Sequence, residues 1–309
     1  MDFAWREVGD GVFTRRHEHR DFCDLNVGLV IGDGGYLVVD TCSTQHQARE
    51  LAEAIRRMTP HPCVAVVNTH AHFDHFFGNA EFRPAPIWGH RDCATTVTEY
   101  GPFMRGWLAA DIRDRGRVEL AAEYEAVELV PPDRTFTDTA ELSVGGRPVR
   151  LRYLGRGHTH NDIVVQVPDA GVVFAGDLVE EGAPPAFEDA FPLDWPVTLD
   201  ALVALTSGPV VPGHGDVVDR GYVRTQAGEL RLVADLARAA HAERPGDTRR
   251  PADTDAWRSL PLPEHSARVA LERAFRQLDG APAYDSPDVL ARRAANGTSG
   301  QQAGQQAGQ

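Results

Sequence analysis

Short apolar runs and longer helical repeats take turns along this chain, and together they predict a protein of mixed strands and helices. Residues 11–15, 27–31 and 36–40 are strand-like, and Gly32, Gly34 and Gly35 between the last two predict a tight connection between antiparallel strands. Thr44 offers an N-cap for a helix reaching about residue 58. Within it Ala48, Leu51, Ala52 and Ile55 return at helical spacing, and Pro60 and Pro62 prevent continuation. The unbroken run Val64-Ala65-Val66-Val67 reads as a buried strand, and residues 86–88 as another.

Helical spacing resumes over residues 91–125, with a break expected near Gly101-Pro102 because proline has no N–H to donate. Tyr100, Phe103, Met104 and Trp107 crowd that stretch. Packing against the body is the common fate of such side chains, and a substrate-facing lid the less common one. Strands are predicted at 149–154, 163–167 and 172–175, followed by a proline-rich loop over 182–196. Helices at 223–243 and 264–278 flank a polar connector at 244–255 and are expected to close the outer face. Residues 1–290 therefore read as one domain. Residues 291–309, which end in Gly, Gln, Ala and Ser from Asn296 onward, cannot bury enough apolar surface to order and read as a disordered low-complexity tail.

Composition narrows the function. At 42% hydrophobic and 25% charged, the 309 residues are ordinary for a globular protein with a sizeable core. No apolar stretch approaches the roughly 18–20 residues of a membrane span. The first residues lack a signal peptide's basic-then-apolar order, so a cytoplasmic protein with no membrane partner is expected. The formal net charge of −14 disfavours nucleic acid, whose phosphates are held by clustered cations, and favours a small-molecule substrate. All 31 basic side chains are arginine. Lysine Schiff-base chemistry and the lysine-bearing phosphate loop are thereby excluded. Cys23, Cys42, Cys63 and Cys93 form no Cys-x-x-Cys pair and read as buried free thiols.

The informative segment is Val66-Val67-Asn68-Thr69-His70-Ala71-His72-Phe73-Asp74-His75, a buried strand running into three histidines and an aspartate. In extended chain, residues two apart face the same side, so His70 and His72 can address one ion while a turn at Asp74-His75 addresses a second. Three later places offer more donors at strand ends. His158 lies in Gly155-Arg156-Gly157-His158-Thr159, Asp177 closes Val172-Val173-Phe174-Ala175-Gly176-Asp177, and His214 lies in Val210-Val211-Pro212-Gly213-His214-Gly215.

His-x-His-x-Asp-His, then Gly-His-Thr, Gly-Asp and Pro-Gly-His-Gly, in that order, resembles the metallo-β-lactamase superfamily over about residues 8–220. The resemblance implies an α+β fold, an αββα sandwich of two sheets with outer helices, and metals in a shallow groove at one sheet edge. It further implies that His70, His72 and His158 hold a first ion, that Asp74, His75 and His214 hold a second, and that Asp177 bridges them. The bridging carboxylate resembles the glyoxalase II, lactonase and phosphodiesterase branches. True β-lactamases of this fold carry cysteine or serine there, so a dedicated antibiotic hydrolase is disfavoured. His160 and His90 are expected to be supporting rather than ligating, and His17, His19, His46, His61, His241 and His265 to be solvent or packing residues.

The reading that follows is a metal-dependent hydrolase with two Zn2+ per chain. Its nucleophile is a hydroxide shared by both ions, and Asp74 is the catalytic proton acceptor. Substrates would be small esters, thioesters, lactones, amides or phosphoesters. Two alternatives stand beside it: a mononuclear iron sulfur dioxygenase of the same fold, and a non-catalytic protein stabilised by its metal. Specificity is expected in the segment with Phe103, Met104 and Trp107 and in the loop with Phe187, Phe191 and Trp195, surfaces that would equally serve a homodimer contact.

Overall fold

The computed structural model describes residues 4–17, 24–242 and 255–281. Cys23, His19, most of the connector and the 291–309 tail lie outside the described residues.

Among the described residues twelve strands form two layers joined along one edge. The first layer holds β1 (Arg6–Gly9), β2 (Val12–His17), β3 (Leu25–Gly32), β4 (Gly35–Val39), β5 (Cys63–Val67), β6 (Ile87–His90) and β7 (Arg134–Phe136), each paired with the next. The second runs β8 (Thr139–Val144), β9 (Arg147–Tyr153), β10 (Ile163–Val167), β11 (Val172–Glu180), β12 (Val210–His214). A single antiparallel pair, His214 opposite Leu25, joins β12 to β3. Strands β4 to β7 are mutually parallel, as are β11 and β12.

Alternation along each strand sorts side chains between layers, because successive residues point to opposite faces. In β4, Leu37 and Val39 face the sandwich interior while Tyr36 and Val38 face outward to α1 (Gln45–Met58). In β11, Val172 and Phe174 point inward, and Val173 and Ala175 point to a second helical layer. That layer is α5 (Trp195–Leu205), α6 (Arg220–Ala242) and α7 (Glu264–Leu278). Strands apolar on both faces lose the polar alternation of a half-exposed sheet, which is why 64–67 and 172–175 read as continuous runs. Each fully buried valine or leucine contributes about 1.5–3 kcal/mol. The architecture is the expected αββα sandwich.

Helix α1 forms as its spacing predicts: Thr44 caps it by accepting from the Gln47 N–H at 3.2 Å, and Ala48, Leu51 and Ile55 are fully buried. Short α2 (Phe73–Phe76) follows β5, and α3 (Arg91–Asp114) and α4 (Val118–Glu125) fill the side of the first sheet. The expected break at Gly101-Pro102 does not occur, and α3 runs through it. Losing one helical bond to proline costs about 3 kcal/mol. Val97 on one side and Leu108, Ala109 and Ile112 on the other are buried against Phe76, Phe77 and Tyr124, and this packing outweighs that cost. The helix instead ends at Asp114, and Gly116 just beyond it has a φ of 79°. There the Gly116 N–H donates to Arg113 and the Arg117 N–H to Ile112, the paired bonds of a Schellman turn.

Two further expectations are corrected. The proline-rich loop stops at Asp194, because Pro196 belongs to the first turn of α5, where a missing N–H costs nothing. Phe187 and Trp195, expected to set specificity, are 1% and 0% exposed and lie in the core between β11 and the helices. The Trp195 indole N–H donates to the Leu178 carbonyl at 3.1 Å, so the ring is fixed in the core. Met104 and Trp107 are half-buried and pack against the α3–α4 cluster, the commoner of the two fates. Trp195→Ala is accordingly expected to lower the unfolding free energy by about 3–5 kcal/mol in a urea titration. A change below about 1 kcal/mol would remove the indole from the core account.

Candidate metal centre

Beyond Val67 the chain leaves β5 and turns beneath the joined edge of the two sheets. Buried polar bonds fix this turn. The Asn68 amide donates to the His75 carbonyl at 3.0 Å, and the Asn79 amide returns a bond to Asn68 Oδ1 at 2.8 Å. His72 is extended, with φ −89° and ψ 146°, and α2 begins directly after it. The pair Asp74-His75 therefore lies on a helical turn, set apart from His70 and His72 by the change of backbone.

The structure brings the seven donors into two groups. Ligand-type atoms of His70, His72, His158 and Asp177 lie within 4.8 Å of one another, as do those of Asp74, His75 and His214. Asp177 touches both. Its Oδ2 is 3.7 Å from His70 Nε2, 3.5 Å from His158 Nε2 and 3.3 Å from His214 Nε2, and its Oδ1 is 3.3 Å from His75 Nε2. Asp74 Oδ2 stands 3.3 Å from His214 Nε2 and 3.6 Å from His75 Nε2. His70 Nε2, His75 Nε2 and Asp177 Oδ1 are buried with no hydrogen-bond partner among the described residues. Buried Lewis bases aimed at one another and left unsatisfied fit divalent-metal binding, which would satisfy them.

Each imidazole has one nitrogen turned to the cluster and the other turned outward. His75 Nδ1 lies 2.8 Å from Asp40 Oδ2, His72 Nε2 lies 2.9 Å from Asp189 Oδ2, and His214 Nδ1 lies 3.1 Å from the Asp24 carbonyl. His70 Nδ1 is 3.1 Å from the Thr69 hydroxyl, and His158 Nδ1 faces Glu180 Oε1 at 3.7 Å. Asp40 also accepts from the Thr69 N–H and hydroxyl, both at 2.8 Å, and its φ of 62° turns the carboxylate toward them. Such outer partners set the tautomer and aim of each ring.

Asp40, Asp189 and Glu180 escaped the sequence reading. Asp40 carries the same signal as Asp177, a carboxylate closing an apolar strand. Nothing local distinguishes Asp189, which sits in a loop more than 100 residues from His72 in sequence. The His158 turn is set by Asp162, which accepts from the Thr159 N–H and hydroxyl at 2.7 Å. Burial pushes the Asp162 carboxyl up to about 7 against those bonds. Asn161 ties this turn to the His70 loop by accepting from the Ala71 N–H at 3.0 Å.

Charge is divided unevenly among the rings. Burial drives His70 well below the usual histidine range and His158 down to about 4, against the pull of Asp177. For His75 and His214 burial works the same way, but Asp177 and Asp74 beside them prevail and hold both well above it. Despite its burial, Asp177 is held well below the usual carboxylate range by His214, His75 and His70.

Among the described residues the other histidines stand apart. His90 caps α3 by accepting from the Asp92 N–H at 3.2 Å and stacks on Tyr153 with ring centroids 4.4 Å apart. His160 is half-buried, with Nε2 3.4 Å from the Thr96 hydroxyl, and belongs to neither group. Burial, opposed by Asp92 and Asp189, lowers its pKa.

Two strand details seat Asp177. Sequence reading ended this strand at Ala175, whereas β11 runs on to Glu180 with a register shift at Gly176, whose φ is 53°. Alongside, β12 presents Gly213, where an added Cβ would lie 1.7 Å from Asp177 Oδ1. No side chain fits between them.

An αββα sandwich with paired His/Asp groups at one sheet edge is the framework of a metallo-hydrolase. A family model described as the metallo-beta-lactamase superfamily matches residues 20–283, and the chain belongs to that superfamily. It is 37% identical over 93 residues to the metallo-beta-lactamase type 2 of Bacteroides fragilis, a match spanning 28% of this chain and 37% of that relative. With the human acyl-coenzyme A thioesterase MBLAC2 it shares 26% identity over 235 residues, 69% of this chain and 81% of the relative. In structure it resembles a metallo-beta-lactamase from Pontibacter korlensis, with TM-score 0.59 and 21% identity over 74% of this chain and 99% of that one.

Gly213→Ala must displace the Asp177 carboxylate. The variant is expected to keep its far-ultraviolet circular dichroism and to lose about tenfold or more in divalent-metal affinity, measured against a chelating dye. Parental affinity in the variant would mean that the contact is not limiting.

Proposed function

We propose that the protein is a two-zinc hydrolase of small acyl substrates, with thioesters and esters ahead of lactones, amides and phosphoesters. Metal-dependent hydrolysis itself follows from the superfamily and from relatives that are hydrolases. The observation carrying the two-metal reading is Asp177, whose two oxygens face both donor groups. A carboxylate at that position, together with the thioesterase relative, favours an acyl substrate over a dedicated β-lactam one.

In this reading His70, His72 and His158 hold one ion, Asp74, His75 and His214 the other, and Asp177 is shared. Bound zinc lowers the pKa of water toward ~7 and polarises a carbonyl. The chain's own residues supply geometry and proton handling. Asp74 is 7% exposed, and its Oδ2 is oriented by His214. It accepts the proton of the attacking water and passes it to the leaving group. Asp40 and Asp189 keep His75 and His72 from rotating, so the donor set needs no rearrangement when substrate arrives.

Elemental analysis by inductively coupled plasma mass spectrometry is expected to give about two zinc per chain. About one iron instead would move the assignment to the dioxygenase reading. Asp74→Ala should lower kcat for a thioester by about 100- to 10,000-fold, the usual worth of a positioned acid–base group. Retained turnover would remove Asp74 from the mechanism. Asp189→Ala is expected to weaken metal binding by about 10–100-fold while Asp189→Asn weakens it less, since the amide oxygen still accepts from His72. Equal affinities in all three proteins would leave Asp189 without a positioning role.

A further inference from the structure

Two of the buried contacts that aim the rings end on the same oxygen. Asp40 Oδ2 lies 2.8 Å from His75 Nδ1 and 2.8 Å from the Thr69 hydroxyl, while Asp40 Oδ1 accepts from the Thr69 N–H at 2.8 Å. An ionised carboxylate has no hydrogen to give, so all three contacts are donations to Asp40. The single hydroxyl hydrogen of Thr69 is thereby spent. Its oxygen can only accept, and His70 Nδ1 stands beside it at 3.1 Å. The direction of each bond follows: His70 Nδ1–H to Thr69 Oγ1, Thr69 Oγ1–H to Asp40 Oδ2, and His75 Nδ1–H to the same Oδ2. With the proton on Nδ1, each ring keeps on Nε2 the lone pair that a metal needs. Those are the two nitrogens turned toward Asp177.

The two rings belong to different donor groups, His70 with His72 and His158, His75 with Asp74 and His214. One carboxylate therefore orients a ring of each group, the first through a hydroxyl and the second directly. Packing leaves that hydroxyl little freedom. Thr69 and Asp40 are each 2% exposed. A Cβ on Gly176 would lie 2.8 Å from Thr69 Cβ and Oγ1, so the β11 backbone lies flat against the side chain. The Ile163 N–H donates to the Thr69 carbonyl at 2.8 Å, and the Asp40 N–H donates to the Val67 carbonyl at 2.9 Å. Strands β5, β10 and β11 thus hold the pair in place.

We infer that Thr69 is a positioning residue for the His70 group, relaying the hold of Asp40, whereas Asp40 positions both groups. Without the hydroxyl, His70 Nδ1 has lost its acceptor, and the ring is free to carry its proton on Nε2, where it cannot ligate. His75 keeps its own 2.8 Å bond to Asp40, and its contact with the hydroxyl is the longer one, at 3.3 Å. The inference rests on the two-metal reading above and deepens it.

Zinc affinity, measured by chelator competition on the full chain, tests the relay in two backgrounds: His214→Ala, which cripples the His75 group, and His158→Ala, which cripples the His70 group. Thr69→Val keeps the side-chain shape and removes the hydroxyl. It is expected to weaken zinc binding about tenfold or more in His214→Ala and by less than about threefold in His158→Ala. Asp40→Asn should weaken it about tenfold or more in both, and Thr69→Ser should recover most of the affinity. Equal losses from Thr69→Val in the two backgrounds, or no recovery with serine, overturn the relay. Nuclear magnetic resonance of the zinc-loaded protein carrying isotope-labelled histidine reads the proton itself. His70 and His75 are expected as Nδ1–H tautomers, with the His70 signal alone lost in Thr69→Val. A His70 proton found on Nε2 in the unaltered protein overturns the proposal whatever the variants do. If the unaltered chain binds about one zinc, yet Thr69→Val removes the His70 Nδ1–H signal and Thr69→Ser restores it, the two-metal reading falls and the relay stands.

Discussion

The Asp177 carboxylate, 4% exposed and surrounded by His70, His75, His158 and His214, is the interaction on which the functional end of the molecule depends. An unpaired charge at that depth would be strongly destabilising, so every element that approaches it is constrained to bring a compensating group. β11 bends at Gly176 to aim it, β12 gives way with Gly213, and the loop after β5 supplies two rings. The joint between the sheets, a single pair of His214 and Leu25, falls at the same place. Where the two sheets meet is thus also where the donors meet.

That placement follows from the sandwich interior. Val30, Leu37, Val39 and Val67 from one sheet press on Leu151, Val165, Phe174 and Val211 from the other, and none of them has a polar atom to offer. Seven titratable side chains within that layer would have no means of being solvated or paired. At the rim, where strands end and loops converge, backbone groups and further side chains are available. There Thr69, Asn68, Asn79 and Asp162 each accept or donate in the supporting shell.

The two helical layers serve different ends. Over the first sheet α1 mainly covers Leu51 and Ile55 against β3 and β4. Over the second, α7 packs Ala267, Ala270, Leu271 and Ala274 into the core and leaves Arg273 and Arg276 on the side of the His158 turn. The loop before α5 links these features: Asp189 holds His72, and Phe191 lines a pocket beside the His158 turn. A change in that loop therefore acts on the orientation of His72 and on the neighbouring pocket together.

Local chemistry in the sequence determined much of this. Apolar runs at 64–67 and 172–175, the Thr44 cap, and donor residues next to strand ends are all contiguous features, so they could be read without knowing what they pack against. His70, His72, Asp74, His75, His158, Asp177 and His214 were accordingly legible as a set. Decisions between competing local signals belonged to the tertiary structure. Pro102 and Gly101 argue for a break that the burial of Val97 and Leu108 overrules. Phe187 and Trp195 look like surface aromatics in a proline-rich loop until the helices close over them. Asp189 carries no distinguishing neighbours, because a side chain that acts on a residue more than a hundred positions away acquires its role only when folding brings the two together.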